Sequence, residues 1–133
     1  MVSLVALTGT NRLISFESDA SGTTTAVAVT GIRNNGRLIG IDTRPADGLI
    51  YGVTNKDDIY TIDPDSGEAT LVSTLSMPFG SAKFSGIDFN PTVDRLRLVG
   101  ENEQNFRVNV DTGEVIVDTP LANASTCLAS LYG

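Results

Sequence analysis

The chain repeats one sequence pattern, and this internal repeat limits the folds open to it. Residues 86–114 align without a gap on residues 40–68, which lie 46 positions earlier. Both stretches open on Gly-Ile-Asp and close on an Asp-x-Gly-Glu turn. A third copy, offset by a further 46 positions, is already under way at Leu4 and slips by one residue near Gly22. Repeats of this length indicate a solenoid, a propeller or an array.

Four short β runs separated by turn residues make up one repeat. In the second copy the predicted strands are Leu38–Asp42, Leu49–Val53, Asp58–Ile62 and Ala69–Leu75. The first copy supplies only the last three, at Leu4–Thr8, Leu13–Phe16 and Thr24–Val29, and the third copy ends on Val115–Val117. A four-stranded unit with a period of 46 residues predicts an all-β chain of β-propeller type, with about three four-stranded blades.

The length predicts a single repeat domain, residues 1–133. It divides into a partial repeat 1 (1–37), repeat 2 (38–83), repeat 3 (84–119) and a C-terminal closing strand (120–133), because the next Gly-Ile-Asp position would be 132. Three blades cannot close a ring, since propellers need about four to eight. We therefore expect a homodimer with half a six-bladed ring per chain; a larger assembly and half of a longer protein are the alternatives.

Charge and residue types exclude several classes of function. The formal net charge of −7 argues against nucleic acid and anionic membranes as partners. The chain has no His, which excludes imidazole chemistry, and its lone Cys127 excludes an internal disulfide or a cysteine zinc site. Small apolar neighbours favour a buried thiol at Cys127 over a reactive one. No apolar run suits a membrane span, and the first residues do not resemble a signal peptide.

Several segments together resemble the bacterial domain-of-unknown-function family 4394. They are Leu4–Leu13, Gly40–Gly52, Tyr60–Gly67 and Phe89–Arg97, of which the last holds the most specific motif, Asn-Pro-Thr-Val-Asp-Arg-Leu-Arg. The resemblance runs from Leu4 to Gly113, and the sequence departs from the family after Asp118. It implies the N-terminal half of a longer protein in a family whose members are often exported. That family has no assigned function, so no catalytic residue carries over.

Asp42 and Asp88 are the first candidates for a site, because both end the first strand of their repeat. That strand usually lines the channel of a propeller. Repeated carboxylates there suit a cation such as calcium, or an acid and base pair, which makes Asp42 and Asp88 weak metal candidates as well as ligand-binding ones. The structural alternative is that each accepts hydrogen bonds from the turn before Pro45 or Pro91.

Three arginines cluster in the third copy, at Arg95, Arg97 and Arg107. Arginine binds carboxylates in a bidentate manner, so Arg95 and Arg97 are predicted to take part in an anion or carboxylate site. The alternative is ion pairing with nearby acids across adjacent strands, namely Asp94, Glu101 and Glu103.

Two other patterns have a structural explanation beside the functional one. Tyr51 and Tyr60 would suit sugar stacking, but strand tyrosines more often pack in a core. The Asp-rich segments 63–68 and 109–114 superficially suggest calcium loops, but they lack the spacing of such a loop and read better as hairpin turns.

The pattern as a whole predicts a β-propeller-type binding or structural module, with an unassigned small-molecule or carbohydrate ligand at a loop-formed channel mouth. The alternative is a metal-dependent enzyme of lactonase or lyase type that uses the channel carboxylates. The chain shows no nucleophile constellation, so the prediction leans away from an enzyme. Fold alone does not identify the ligand.

Overall fold

A computed structural model describes residues 3–17, 24–80, 85–100 and 104–118. Every regular element in these residues is a β-strand, which confirms the all-β prediction. The strands are β1 (Ser3–Leu7), β2 (Arg12–Glu17), β3 (Thr24–Ala28), β4 (Leu38–Thr43), β5 (Ile50–Thr54), β6 (Asp58–Ile62), β7 (Ala69–Thr74), β8 (Ser85–Asn90), β9 (Arg95–Gly100), β10 (Asn105–Val108) and β11 (Val115–Val117). No membrane-spanning helix is found in the described part of the chain.

The strands form three antiparallel sheets, each a meander of strands consecutive in the chain. The first sheet is β1–β2–β3, the second β4–β5–β6–β7 and the third β8–β9–β10–β11. The predicted third strand of repeat 2 and the last strand have the predicted bounds, and each of the other predicted strands differs by one residue at one or both ends. Within the described ranges no sheet closes on itself. The predicted closing strand, 120–133, lies outside the described residues.

Both faces of the second sheet contribute buried side chains, which alternate between the faces along each strand. On one face Tyr51 and Val53 join a hydrophobic cluster with third-sheet residues that include Leu98. On the other face Tyr60 and Ile62 pack with Leu13 of the first sheet. Burying each such aliphatic side chain contributes about 1.5–3 kcal/mol. Hydrophobic burial therefore holds the three sheets in a row, with the second in the middle.

A recurring backbone contact, here called the sheet joint, connects each sheet to the next. Thr30 N donates to the carbonyl oxygen of Gly67 at 2.9 Å, and 46 positions later Ser76 N donates to the carbonyl oxygen of Gly113, also at 2.9 Å. A return bond completes the first joint, where Ala69 N donates to Thr30 O at 2.8 Å. In the second joint Val115 N donates instead to Ser76 Oγ at 2.9 Å.

Glycine is required in both sheet joints. Gly67 and Gly113 each have φ of +79°, a left-handed conformation that disfavours other residues. A Cβ at Gly67 would overlap the carbonyl oxygen of Ala28, and one at Gly113 would overlap that of Thr74. Ala28 and Thr74 are also 46 positions apart, so the two joints bring equivalent backbone positions together.

The connector from the first sheet to the second is held by an ion pair between a half-exposed arginine and a buried aspartate. Arg33 donates two hydrogen bonds to Asp58, from Nε to Oδ2 at 2.9 Å and from Nη2 to Oδ1 at 2.8 Å. The Thr74 hydroxyl adds a third at 2.9 Å, and the Asp58 side chain is only 2% exposed. These donors, Arg33 first, lower the pKa of Asp58. Arg33 N also donates to the Tyr60 hydroxyl at 3.0 Å.

Candidate functional site

Asp42 and Asp88 lie near each other, where β4 of the second sheet runs beside β8 of the third. Gly40 allows this close approach, because a Cβ there would overlap the Ile87 side chain. Asp42 Oδ2 accepts a hydrogen bond from Phe89 N at 2.9 Å. The carboxylate of Asp42 therefore binds the backbone of the neighbouring sheet, not the turn before Pro45 that was its expected structural partner.

The second carboxyl of this pair has a perturbed proton affinity. Partial removal from water, the charge of Asp42 and a hydrogen bond to the Asp42 side chain together raise the pKa of Asp88. Neighbouring carboxyls behave this way because two like charges in one place disfavour double ionisation. The oxygens of the pair can accept hydrogen bonds from donors on a ligand. In the described ranges no group of three or more His, Cys, Asp or Glu residues could hold a metal ion.

Arg44 forms the most extensive polar cluster between the second and third sheets, and the sequence did not predict it. Its guanidinium, on a residue only 9% exposed, binds Asp94 through Nε at 2.9 Å and Nη2 at 2.6 Å. It also binds Asp111 through Nη1 at 3.0 Å and Nη2 at 3.1 Å. These acids lie in two different turns of the third sheet, so Arg44 ties both turns to the β4–β5 turn. We call this set the Arg44 clamp.

Tyr51 and Asp47 complete the clamp from within the second sheet. The Tyr51 hydroxyl accepts from Arg44 Nη1 at 3.0 Å and donates to Asp47 Oδ2 at 2.7 Å. Contacts with Asp94, and then with Asp111, raise the pKa of Arg44, and Arg44 in turn lowers the pKa of Asp94. Burial, followed by the bond to Asp47, raises the pKa of Tyr51. Because the guanidinium is engaged by protein groups, the clamp serves to join sheets.

The predicted arginines lie on the face of the third sheet that points away from the second. Arg97 is paired in register with Asp88 on one side and Arg107 on the other. Arg97 and Arg107 share Asp118, at 3.1 Å and 2.7 Å, and together they lower its pKa, with Arg107 contributing most. Arg95 donates to the backbone carbonyl oxygens of residues 93 and 94.

The predicted acidic partners of these arginines differ from the observed one. Asp94 binds Arg44 in the clamp, while Glu101 and Glu103 lie outside the described residues. Asp118 was missed because it is distant from the arginines in sequence, and only the pairing of β10 with β11 brings it close. The structure thus places Asp88, Arg97 and Arg107 in one row across β8, β9 and β10.

The remaining sequence candidates have structural roles. Tyr51 and Tyr60 are 3% and 1% exposed, so both rings pack between sheets and present no stacking surface in this chain. Asp63 Oδ1 accepts from the backbone nitrogens of Asp65 and Ser66, at 2.8 Å and 3.3 Å, as in a hairpin turn. Asn109 Oδ1 makes the equivalent bond to residue 111 at 3.0 Å.

A cavity of about 570 Å³ opens on the second sheet. Its walls combine aliphatic side chains, threonine hydroxyls and two carboxylates, from Thr43, Gly48, Leu49, Ile50, Thr61, Ile62, Asp63, Pro64, Glu68 and Thr70. None of the four residues predicted to bind a ligand lines it. Sequence reasoning missed the cavity because its walls come from strands and turns that are separated along the chain.

Comparison with known families gave one finding. A family model described as Domain of unknown function (DUF4394) matches residues 12–130, most of the chain. The match continues past Asp118, so the departure predicted there does not end the resemblance. Comparison with curated proteins gave no match.

Proposed function

The chain belongs to the family described as Domain of unknown function (DUF4394), and we propose that it is a β-propeller-type binding module that supplies half of a six-sheet ring. The observation that carries the proposal is the sheet joint, which recurs with the 46-residue period. The first hydrogen bond of one joint joins Thr30 to Gly67, and that of the other joins Ser76 to Gly113, 46 positions later in each case. The second sheet is therefore related to the first much as the third sheet is related to the second.

A joint used repeatedly generates a ring when the rotation between sheets closes. Propellers close with about four to eight sheets, and the described residues of this chain provide three. Two chains would provide six, within that range, and closed two-fold assemblies are the commonest homo-oligomers. The homodimer therefore satisfies both the repeat and the need to cover free sheet edges.

The proposed ligand site lies at the inner edge of such a ring. β4 and β8 are the first strands of their sheets and carry Asp42 and Asp88, with Arg97 paired to Asp88 in register. Arg95 stands two residues before Arg97 on the same strand face. Carboxylates beside guanidinium groups suit a small polar ligand, such as a carbohydrate, that both donates and accepts hydrogen bonds.

Small-angle X-ray scattering on the full chain tests the ring. We expect a particle of twice the 14.0 kDa chain mass with the distance distribution of a hollow ring. A particle of single-chain mass that fits three open sheets would overturn the proposal. Titration with sugars, followed by amide shifts at Asp42 and Asp88, then tests the ligand site, and Asp88→Asn is the control variant.

A second candidate, a metal-dependent enzyme of lactonase or lyase type, is favoured by the coupling of Asp42 and Asp88. Calcium binds carboxylate oxygens, so it is the first cation to test at this pair. If the pair binds calcium, the ion raises Tm in the parent chain, chelator reverses the rise, and Asp88→Asn removes it. A Tm insensitive to calcium and chelator rejects this candidate and leaves the binding module.

A further inference from the structure

The outer face of the third sheet, which points away from the second sheet, departs from the repeat in its chemistry. Arg97 and Asn105 lie on this face, 46 positions after Tyr51 and Ile59. Tyr51 and Ile59 are 3% and 0% exposed and belong to the cluster that joins the second and third sheets. Where the second sheet presents apolar side chains to its neighbour, the third sheet therefore presents a guanidinium and an amide. This chemistry suits a polar ligand better than the apolar contact used between sheets.

The outer face also carries an excess of positive charge. Arg97 and Arg107 are paired in register, and Arg95 stands two residues before Arg97 on the same face. Arg97 and Arg107 share one carboxylate, that of Asp118, at 3.1 Å and 2.7 Å. Within the described ranges Arg95 forms no ion pair, and none joins Arg97 to Asp88, the next residue in the row. Three guanidinium groups thus face two carboxyl groups, in a chain whose net charge is −7.

Arg97 is held in place while its carboxylate-binding edge stays unused. Its Nη1 donates to Asn105 Oδ1 at 2.6 Å and to Asp118 Oδ2 at 3.1 Å, and Asn105 is only 4% exposed. The Nε and Nη2 atoms of a guanidinium form an edge that can bind a carboxylate through two parallel hydrogen bonds. In Arg97 this edge donates to no group among the described residues. The Arg97 side chain is 23% exposed, so a ligand can reach it.

Arg107 shows how the same edge is used when a carboxylate is present. Its Nε donates to Asp118 Oδ2 at 3.2 Å and its Nη2 to Asp118 Oδ1 at 2.7 Å. The two neighbouring arginines therefore differ: Arg107 has its carboxylate within the chain, and Arg97 has an anchored guanidinium that lacks one. A group fixed before binding loses little conformational entropy when the ligand arrives.

We infer that the ligand of the proposed binding module is a sugar acid whose carboxylate binds the Nε and Nη2 edge of Arg97. The inference rests on the proposed carbohydrate site and names its ligand class. Arg95 adds a second positive charge on the same face, and Asp88 supplies acceptor oxygens for the hydroxyls of the sugar. A neutral sugar would leave the Arg97 edge unpaired, and a simple carboxylate would leave Asp88 without a donor. A site built for both groups discriminates against a ligand that lacks either one.

Every group of this site belongs to one chain. In the proposed ring the outer face of the third sheet turns toward the partner copy, so the ligand would lie where two chains meet. Because the single chain carries all the contacts, the ligand site and the ring can be tested separately.

Nuclear magnetic resonance on the full-length chain tests the inference without any substitution. The probes are D-galacturonate, its neutral counterpart D-galactose, and acetate. We expect galacturonate to shift the Nε–H signal of Arg97 and the amide signal of Asp88. It should bind at least about 10-fold more tightly than galactose or acetate, because each of those lacks one half of the contacts. An Arg97 Nε–H signal that galacturonate does not move would overturn the inference.

Two arginine-to-lysine variants separate the guanidinium edge from its charge. Arg97→Lys keeps the positive charge but removes the paired donors, so galacturonate should bind at least about 10-fold more weakly while galactose binding stays the same. Arg12→Lys is the matched control, since Arg12 is an exposed residue of β2 in the first sheet, and it should leave galacturonate affinity unchanged. Galacturonate affinity that survives Arg97→Lys would sink the inference.

The outcomes distinguish this inference from the proposals on which it builds. If galactose binds as tightly as galacturonate and both shift Asp88, the carbohydrate site stands and the sugar-acid inference falls. If acetate binds as tightly as galacturonate, the sugar is not recognised and the inference falls. If no probe shifts Asp42 or Asp88, the proposed ligand site and the inference fall together. A monomeric chain that binds galacturonate at Arg97 would overturn the ring and support the inference.

Discussion

The glycines of the sheet joint allow the sharpest test of how the sheets are held together. Gly48, Gly67 and Gly113 have φ of +72°, +79° and +79°, so alanine is disfavoured at each by about 1–2 kcal/mol. Alanine also restricts the unfolded chain, which offsets about 0.4–1 kcal/mol. At Gly48 a Cβ meets nothing within 4 Å, so Gly48→Ala should destabilise by only about 1 kcal/mol.

Gly67→Ala and Gly113→Ala carry a further cost. The added Cβ overlaps a backbone carbonyl oxygen of the adjacent sheet, which must move away. Moving it disturbs the joint hydrogen bond, worth about 1 kcal/mol, and loosens the packing on both sides. We expect a total loss of about 3 kcal/mol or more at each position.

Urea unfolding followed by far-UV circular dichroism, at one protein concentration, measures all three variants. We expect Gly67→Ala and Gly113→Ala to lower the free energy of unfolding by similar amounts. Both losses should be clearly larger than the loss caused by Gly48→Ala. Values for the joint variants within about 0.5 kcal/mol of Gly48→Ala would refute it, since that is the scale of an ordinary surface substitution.

Four other variants test the polar contacts. Arg44→Ala should destabilise the protein by about 3 kcal/mol in urea unfolding, because it leaves the acids of the clamp without their shared cation. Arg44→Lys should restore only part of that stability, since lysine lacks the bidentate guanidinium fork. Arg33→Ala should lower the urea midpoint at pH 7, a cost that arises because the buried Asp58 keeps only the Thr74 hydroxyl as a side-chain donor. Because the folded pKa of Asp58 lies below its ordinary 3.8, that cost should shrink as the pH falls below 3.8. Asp88→Asn should raise the urea midpoint at pH 7, because the raised pKa of Asp88 means that its ionised form opposes folding. This gain should vanish below pH 3.8, where the carboxyl is protonated in both the folded and the unfolded chain. An unchanged midpoint at pH 7 would contradict the coupling of Asp42 and Asp88.

The sequence predicted the strands well because their signals are local. Alternating β-branched residues and Asp-Gly or Pro-containing turns lie within a few positions of each other, and the repeat gives each signal again. Asp58–Ile62 was predicted with its observed bounds. The repeat also predicted that Asp42 and Asp88 occupy the same position in the first strand of their repeats. The hydrogen bond from Phe89 N to Asp42 could not be predicted, because it joins residues 47 positions apart and has no local sequence signal.

Contacts that occur only once could not be predicted. Arg44 has Asn90 as its repeat counterpart, and its partners Asp94 and Asp111 lie 50 and 67 positions along the chain. Only the packing of the second sheet on the third brings these residues together. Asp118 was missed for the same reason, whereas acids close to Arg97 in sequence seemed natural partners. Pairing across sheets depends on the sheet joint, which the sequence pattern does not reveal.

The molar mass of the full chain in solution, measured by light scattering on a sizing column at several concentrations, tests the central claim most directly. We expect a stable particle of twice the 14.0 kDa chain mass, because two half-rings that close on each other form a dimer. A particle that keeps the single-chain mass at every concentration would contradict it.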